Sequence, residues 1–337
     1  MSLKVNFLSR HWIPEELKIF IPLLFLIMSS CDHDYEYENY QSKKVERNYK
    51  TQNVIIVIAD GLRYSEGWGD STHRYIPRMA YDLAKSGVIN TRFYNLGDTY
   101  TLAGHTSITT GIYQTINNAG EELPDNPSFF QYWNQVYPQN KLKSWIIASK
   151  DKLAVLGDCK KPYWSAKFIP SVNTGVNGLG LHSGYREDSL TLITALNILK
   201  EDHPNLVLIN FREPDYSGHS GVWESYVDGI RKTDEYIYQI WQFVQNDPNY
   251  KNTTTLFITS DHGRHLDSIA DGFAGHGDGC EGCRHLWFFA CGPDFKKGTQ
   301  TAVSREQIDL PVTIAELMGF KMPNIQGKIM TELFGHR

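Results

Sequence analysis

Three apolar runs in this chain end in residues that can bind a cation. TTTLFITS at 253–260 is followed by Asp261-His262-Gly263, and NVIIVIA at 53–59 by Asp60-Gly61. NLVLINF at 205–211 leads through Arg212 and Glu213 to Asp215, with His219 four residues further on. Asp beside His supplies a hard oxygen and a borderline nitrogen, the pair that suits a divalent metal such as zinc. One such dipeptide after a strand is ordinary turn or capping chemistry. Three carboxylates and two imidazoles beyond the same end of three runs exceed what turns require. A hydroxyl-rich stretch, Thr101 to Ser107, adds a candidate nucleophile. At a helix start its hydroxyl would gain from the backbone dipoles, and a metal would lower its pKa further. The competing role for Thr99, Thr101 or Thr106 is simple N-capping.

Elements must hold these residues together. The three runs are continuous and rich in β-branched residues, the pattern of strands covered on both faces. Side chains at the carboxyl ends of parallel strands face the crevice where open α/β sheets bind ligands. From residue 51 strand-like and helix-like segments alternate, which predicts an α/β fold with a largely parallel central sheet and helices on both faces. Further strands are expected at 88–95, 144–150 and 285–292, and helices at 76–86, 128–136, 186–200, 222–246 and 307–318. Pro77 suits a first helical turn, and Gly87 and Gly319 suit helix ends. The candidate ligands come from both halves of the chain, so 51–337 reads as one catalytic domain.

Composition narrows the partners. With 337 residues and 41% hydrophobic content the chain can build one large α/β core. A formal charge of −5 without a basic block argues against nucleic acid. Lys4, Arg10 and Lys18 precede the apolar run Ile19 to Met28, which is short for a membrane span and reads as a signal segment over 1–30. Met28-Ser29-Ser30-Cys31 resembles the lipobox of bacterial lipoproteins. That resemblance implies export, lipidation at Cys31 and display in the periplasm or at the cell surface. The acidic, tyrosine-rich residues after Cys31 read as a flexible tether over 31–50. Cys280-Glu281-Gly282-Cys283 reads as a local disulfide or a pair of free thiols, in preference to a ligand pair.

Five segments in order, IADGLR, TLAGHTSITTG, EPDYSGH, SDHGRH and GHGD, resemble the alkaline phosphatase superfamily, nearest its nucleotide pyrophosphatase/phosphodiesterase branch and alongside sulfatase-like metalloenzymes. The resemblance runs from about residue 53 to the C-terminus and implies two divalent metals, zinc first and manganese as the alternative. Asp215, His219 and His276 would hold one. Asp60, Thr101, Asp261 and His262 would hold the other, with Thr101 also the nucleophile. His265 and His285 compete with His276 for the last position. The implied reaction is in-line attack of Thr101 on phosphorus and hydrolysis of the phosphothreonine by water. Asn118 is the candidate for binding a phosphoryl oxygen. Lys150 and Lys152 read as solvated loop residues, with phosphoryl binding as the alternative.

No Cys/Ser-x-Pro-x-Arg segment lies near Thr101, so formylglycine-type sulfatase chemistry is not supported. The expected substrate is a phosphate-ester small molecule, or a glycan or lipid headgroup bearing one. A phosphosugar mutase or another phosphoryl transferase on the same fold, a sulfatase-like hydrolase, and a ligand-binding pseudoenzyme are the competing readings.

Overall fold

A computed structural model describes residues 41–335 apart from residue 139. The signal segment and Cys31 lie outside the described residues. Among the described residues nine strands form one sheet: β1 (Asn53–Ala59), β2 (Gly87–Tyr94), β3 (Ser144–Ala148), β4 (Ser171–Thr174), β5 (Leu206–Phe211), β6 (Thr254–Thr259), β7 (His285–Cys291), β8 (Thr299–Thr301) and β9 (Arg305–Glu306). Their order is β4-β3-β5-β1-β6-β7-β2-β8, with β9 also on β2. Only β7 runs antiparallel to its neighbours β6 and β2. The sheet is therefore largely parallel, as the alternating pattern predicts.

β1, β5 and β6 are buried at every position, which is what unbroken apolar runs require in a sheet covered on both sides. The helices are α1 (Thr101–Thr110), α2 (Phe129–Val136), α3 (Asp188–Asp202), α4 (Asp215–Gly218), α5 (Trp223–Asn246), α6 (Glu281–Arg284) and α7 (Asp309–Met318). On one face, Leu192, Ala195 and Leu199 of α3 and Tyr226, Ile230, Ile237 and Ile240 of α5 pack with Ile55, Val57, Val207 and Ile209. α1 covers the other face, where His105 reaches Asn210 of β5. Ser128 and Gln131 close a reciprocal capping box at the start of α2, so its N-terminus falls where the sequence places it.

Two expectations change. The helix expected over 76–86 is an irregular π turn at Arg78–Leu83 followed by a 3₁₀ turn at Ala84–Ser86. β2 begins at the very next residue, which leaves no linker in which a regular last turn could unwind. Part of the tether expected over 31–50 is not a tether, and residues 31–40 lie outside the described residues. Residues 42–50 are held on the domain: Val45 N–H donates to the Gly319 carbonyl (2.8 Å), Arg47 pairs with Glu316 (2.8 Å), and Lys50 N–H donates to Asp294 (3.0 Å). Polar residues that lack apolar periodicity can still be fixed by partners distant in sequence, and no local pattern reveals those partners.

Candidate active site

The sheet register builds the site. Ala148 of β3, Asn210 of β5, Ile58 of β1 and Thr259 of β6 lie on one rung across four neighbouring parallel strands. Lys150, Asp60 and Asp261 each stand two residues beyond that rung, on the face where period-two alternation repeats. From β5, Asp215 follows at the start of the short helix α4. Three carboxylates and an ammonium thus converge because four strands end level.

Lys150 is the hub, only 2% exposed. Its Nζ donates to Asp60 Oδ1 at 2.8 Å, Asp215 Oδ2 at 2.7 Å and Thr101 Oγ1 at 3.1 Å. A second cation, the buried guanidinium of Arg264, meets Asp215 Oδ1 through Nη1 and donates to the Ala274 carbonyl at 2.6 Å. Burial alone would raise the Asp60 and Asp215 carboxyls, but Lys150, and for each its neighbouring histidine, outweigh it and hold both below the ordinary range. Burial would likewise lower Lys150, and the attraction of Asp215 and Asp60 overrides it, so the ammonium stays charged. Burial would lower the His262 imidazole, but Asp261, Asp60 and Asp215 outweigh it and hold it above its ordinary value.

The imidazoles turn ring nitrogens toward this cluster. His262 Nδ1 lies 2.8 Å from the Gly263 carbonyl, which assigns its proton there and turns Nε2 inward. His276 Nδ1 lies 2.9 Å from the Thr99 carbonyl, so its Nε2 also faces inward, 3.3 Å from His219 Nε2 and from Asp215 Oδ1. The rings of His262 and His276 stack at 3.9 Å. Burial and the nearby His262 push His276 down to about 2, so it is a neutral imidazole at ordinary pH. Asp261 Oδ1 accepts from Gly61 N–H at 3.2 Å, while Asp261 Oδ2 and His262 Nε2 are buried without a hydrogen-bond partner among the described residues. His105 Nδ1 lies 3.2 Å from that oxygen, but its hydrogen bond goes to the Thr101 carbonyl. An orphaned oxygen and nitrogen 3.5 Å apart in a buried pocket each cost about 1–3 kcal/mol unless something electropositive meets them. A divalent cation fits that need. The donor atoms of Asp60, Asp261 and His262 lie within 4.8 Å of one another, as do those of Asp215, His262 and His276.

Thr101 is the first residue of α1, after a Tyr100 that makes no side-chain cap. Its hydroxyl points to Lys150, so the capping role is not the one it plays. Gly104, one turn on, lies so close to the Asp261 backbone that a Cβ there would meet the Asp261 carbonyl oxygen at 2.3 Å. Only glycine lets the helix start approach the strand end. Asn118 Oδ1 accepts from Leu102 N–H at 3.0 Å and from Lys152 Nζ at 3.1 Å, beside the same helix start.

The structure gathers all eight candidate residues: Asp60, Thr101, Asn118, Asp215, His219, Asp261, His262 and His276. His219 is the most open, its side chain 52% exposed. The two competitors for His276 face elsewhere, His265 toward Asp271 at 2.6 Å and His285 stacked on Tyr64 at 3.9 Å. Lys150 and Lys152 are corrected: neither is a solvated loop residue, at 2% and 7% exposed. β3 ends beside β5, so the residues after it enter the crevice. The sequence reading also passed over Arg264, His105 and Asn210. Asn210 Nδ2 donates to Asp60 Oδ2 at 3.0 Å and lies 3.2 Å from His105 Nε2. An asparagine inside an otherwise apolar buried strand needs a buried partner, and that signal was available.

Residues 129–265 match the family model of Type I phosphodiesterase / nucleotide pyrophosphatase. The human ectonucleotide pyrophosphatase/phosphodiesterase family member 1 is 23% identical over 248 residues, 67% of this chain and 25% of that protein. A 2,3-bisphosphoglycerate-independent phosphoglycerate mutase from Legionella pneumophila (strain Lens) is 28% identical over 136 residues, 38% of this chain and 25% of the mutase. This chain spans about a quarter of the length of these curated relatives. Among solved structures, the phosphonate monoester hydrolase from Silicibacter pomeroyi superposes with a TM-score of 0.61 at 14% identity, over 83% of this chain and 76% of that one. A protein of the alkaline phosphatase superfamily from Vibrio parahaemolyticus superposes with a TM-score of 0.60 at 15% identity, over 88% and 74%.

Proposed function

We propose that this protein, which shares its fold with an alkaline phosphatase superfamily structure and matches the Type I phosphodiesterase / nucleotide pyrophosphatase model over residues 129–265, is a metal-dependent hydrolase of small phosphoesters, diesters or monoesters, with Thr101 as its nucleophile. The observation that carries this is the Thr101 hydroxyl at the N-terminus of a buried helix, 3.1 Å from the Lys150 ammonium and beside two sets of metal-ligand atoms. Asp215, His219 and His276 would hold one divalent ion. Asp60, Thr101, Asp261 and His262 would hold the other. Zinc suits these oxygen and nitrogen donors, and manganese is the alternative. Such ions supply Lewis-acid charge to a phosphoryl group and lower the pKa of the attacking hydroxyl.

The protein's own groups account for the rest. Lys150 fixes the Thr101 side chain and favours its deprotonated form. The helix N-terminus adds positive potential at the same oxygen. Attack forms the Thr101 O–P bond as the P–O bond to the leaving alcohol breaks, and water then hydrolyses the phosphothreonine. Asn118 and Lys152 stand beside the helix start, where they can donate to a phosphoryl oxygen. Their mutual hydrogen bond holds both in place for that task.

A second reading is a phosphoryl mutase, favoured by the match to phosphoglycerate mutases over 136 residues. It keeps the same nucleophile but returns the phosphoryl group to the substrate. One panel separates the readings. Full-length protein with zinc or manganese is offered bis-p-nitrophenyl phosphate, p-nitrophenyl phosphate, p-nitrophenyl sulfate and 3-phosphoglycerate. Turnover of either phosphoester, abolished by Thr101→Ala, supports the hydrolase. Interconversion of phosphoglycerates without phosphate release supports the mutase. A Thr101→Ala variant that folds, binds metal and keeps near-normal rate refutes the assignment of the nucleophile.

A further inference from the structure

We propose that His265, Asp278, Cys280 and Cys283 form a separate metal site for one structural zinc ion, behind the catalytic cluster. One donor atom from each of the four lies within 4.8 Å of the others. Zinc bonds of about 2.0–2.3 Å set neighbouring ligand atoms roughly 3.3–3.8 Å apart in a tetrahedron, so a contraction of about 1 Å would complete the shell. Two thiols, an imidazole and a carboxylate are a set that softness assigns to zinc rather than magnesium or calcium. The thiols are free, one of the two states that the spacing suggested.

The histidine supplies the independent observation. His265 is only 7% exposed, and its Nδ1 hydrogen-bonds Asp271 Oδ1 at 2.6 Å. That bond places the ring proton on Nδ1, and Nε2 is buried with no hydrogen-bond partner among the described residues. Nε2 nevertheless lies 3.4 Å from Asp278 Oδ2. Asp278 is half exposed, but the His265 Nε2 is buried, and a cation between the two would meet the lone pair that solvent does not reach. Asp271 then has the role of the outer carboxylate that orients a zinc-bound histidine.

The local backbone is built to bring these groups together. Gly263 N–H donates to the Cys283 carbonyl at 2.8 Å, and His265 N–H to the Gly275 carbonyl at 2.9 Å. A Cβ on Gly263 would meet the Gly282 carbonyl oxygen at 2.0 Å, so the segment before β7 lies directly against the strand end that carries Asp261 and His262. Cys280 N–H donates to Asp278 Oδ1 at 3.0 Å, and the Asp278 carbonyl accepts from Thr99 Oγ1 at 2.7 Å. A zinc ion here would pin both ends of the loop that presents His276. It would brace Thr99, two residues before the proposed nucleophile, through the same loop.

Cobalt substitution tests the site without reference to turnover. The full-length protein, purified under reducing conditions and loaded with Co²⁺, should show a thiolate-to-cobalt charge-transfer band in the near ultraviolet. The catalytic cluster has only oxygen and nitrogen donors and gives no such band. The band should vanish in Cys280→Ser/Cys283→Ser, and zinc content should fall by one equivalent. Asp271→Asn should weaken binding at this site about 10–100-fold while retaining both thiols. If the double variant does not fold, wild-type thiol titration still decides: Cys280, the more open of the two thiols, should react after chelation and not before. No charge-transfer band, a band unchanged in the double variant, equal thiol counts, or a Cys280–Cys283 disulfide by mass spectrometry would each overturn the proposal. Turnover without the band would sink this site alone, and the band without turnover would sink only the hydrolase reading.

Discussion

Lys150 lies between two carboxylates that are also proposed metal ligands, and this makes its removal informative. Lys150→Met keeps an unbranched side chain of similar length and deletes only the charge and its donors. Asp60 and Asp215 lose bonds of 2.8 and 2.7 Å in a place that is almost dry. Stripping one partner from a buried ion pair typically costs about 3–5 kcal/mol, because the remaining charge is left uncompensated. Arg264 still reaches Asp215, so the lower part of that range is expected for the metal-free protein. With zinc bound, the same carboxylates gain another counter-charge, and the loss should fall to about 1 kcal/mol or less, the worth of an ordinary hydrogen bond. A thermodynamic cycle then requires the variant to bind zinc tighter by the difference. Some 2–3 kcal/mol corresponds to roughly 30- to 150-fold. Urea unfolding with chelator and with excess zinc gives the two stabilities, and competition with a zinc-binding dye gives the affinity. An equal loss in both conditions would refute the reasoning, as would a chelator-state loss below about 1 kcal/mol.

Further outcomes follow from neighbouring groups. Burial, reinforced by Lys150, brings Lys152 down to about 8, so its ammonium is lost as pH rises through that value. KM for a phosphoester should therefore climb above pH 8. Lys152→Met should raise KM roughly tenfold at pH 7 and flatten that limb, whereas an unchanged profile would remove Lys152 from substrate binding. Gly104→Ala drives a methyl into the Asp261 carbonyl, and shifting α1 by about 1 Å should lower kcat/KM on the order of 100-fold. A loss under threefold would mean that the helix start tolerates displacement. Cys31→Ala should move the protein from the membrane to the soluble fraction, and unaltered partitioning would defeat the lipid anchor.

The strands that carry the site were legible because a strand buried on both faces must be apolar at every position. β1, β5 and β6 therefore stand out, and Asp60, Asp215 and Asp261 are conspicuous by their type just beyond them. Lys150 was not legible in this way. Lysine is common in loops, and nothing local to Ser149-Lys150-Asp151 says that β3 will pair beside β5 and end level with it. The same holds for Arg264, whose partners Asp215 and the Phe273 and Ala274 carbonyls come from different parts of the chain.

By itself, then, the sequence determined which residues were chemically capable: carboxylates, imidazoles and a helix-starting hydroxyl, each placed by a local period or a run of apolar residues. It also determined the α/β layering, because alternating strand and helix patterns bury their faces in only a few ways. Tertiary structure decided which of these groups meet. The shared rung across β3, β5, β1 and β6 brings Lys150, Asp60 and Asp261 level, and the close approach at Gly104 brings Thr101 to them. It also set His276 beside His219 and Asp215, and it gathered His265 with two cysteines into a cluster of their own. Register and close packing are relations between distant segments, and a local pattern carries no record of them.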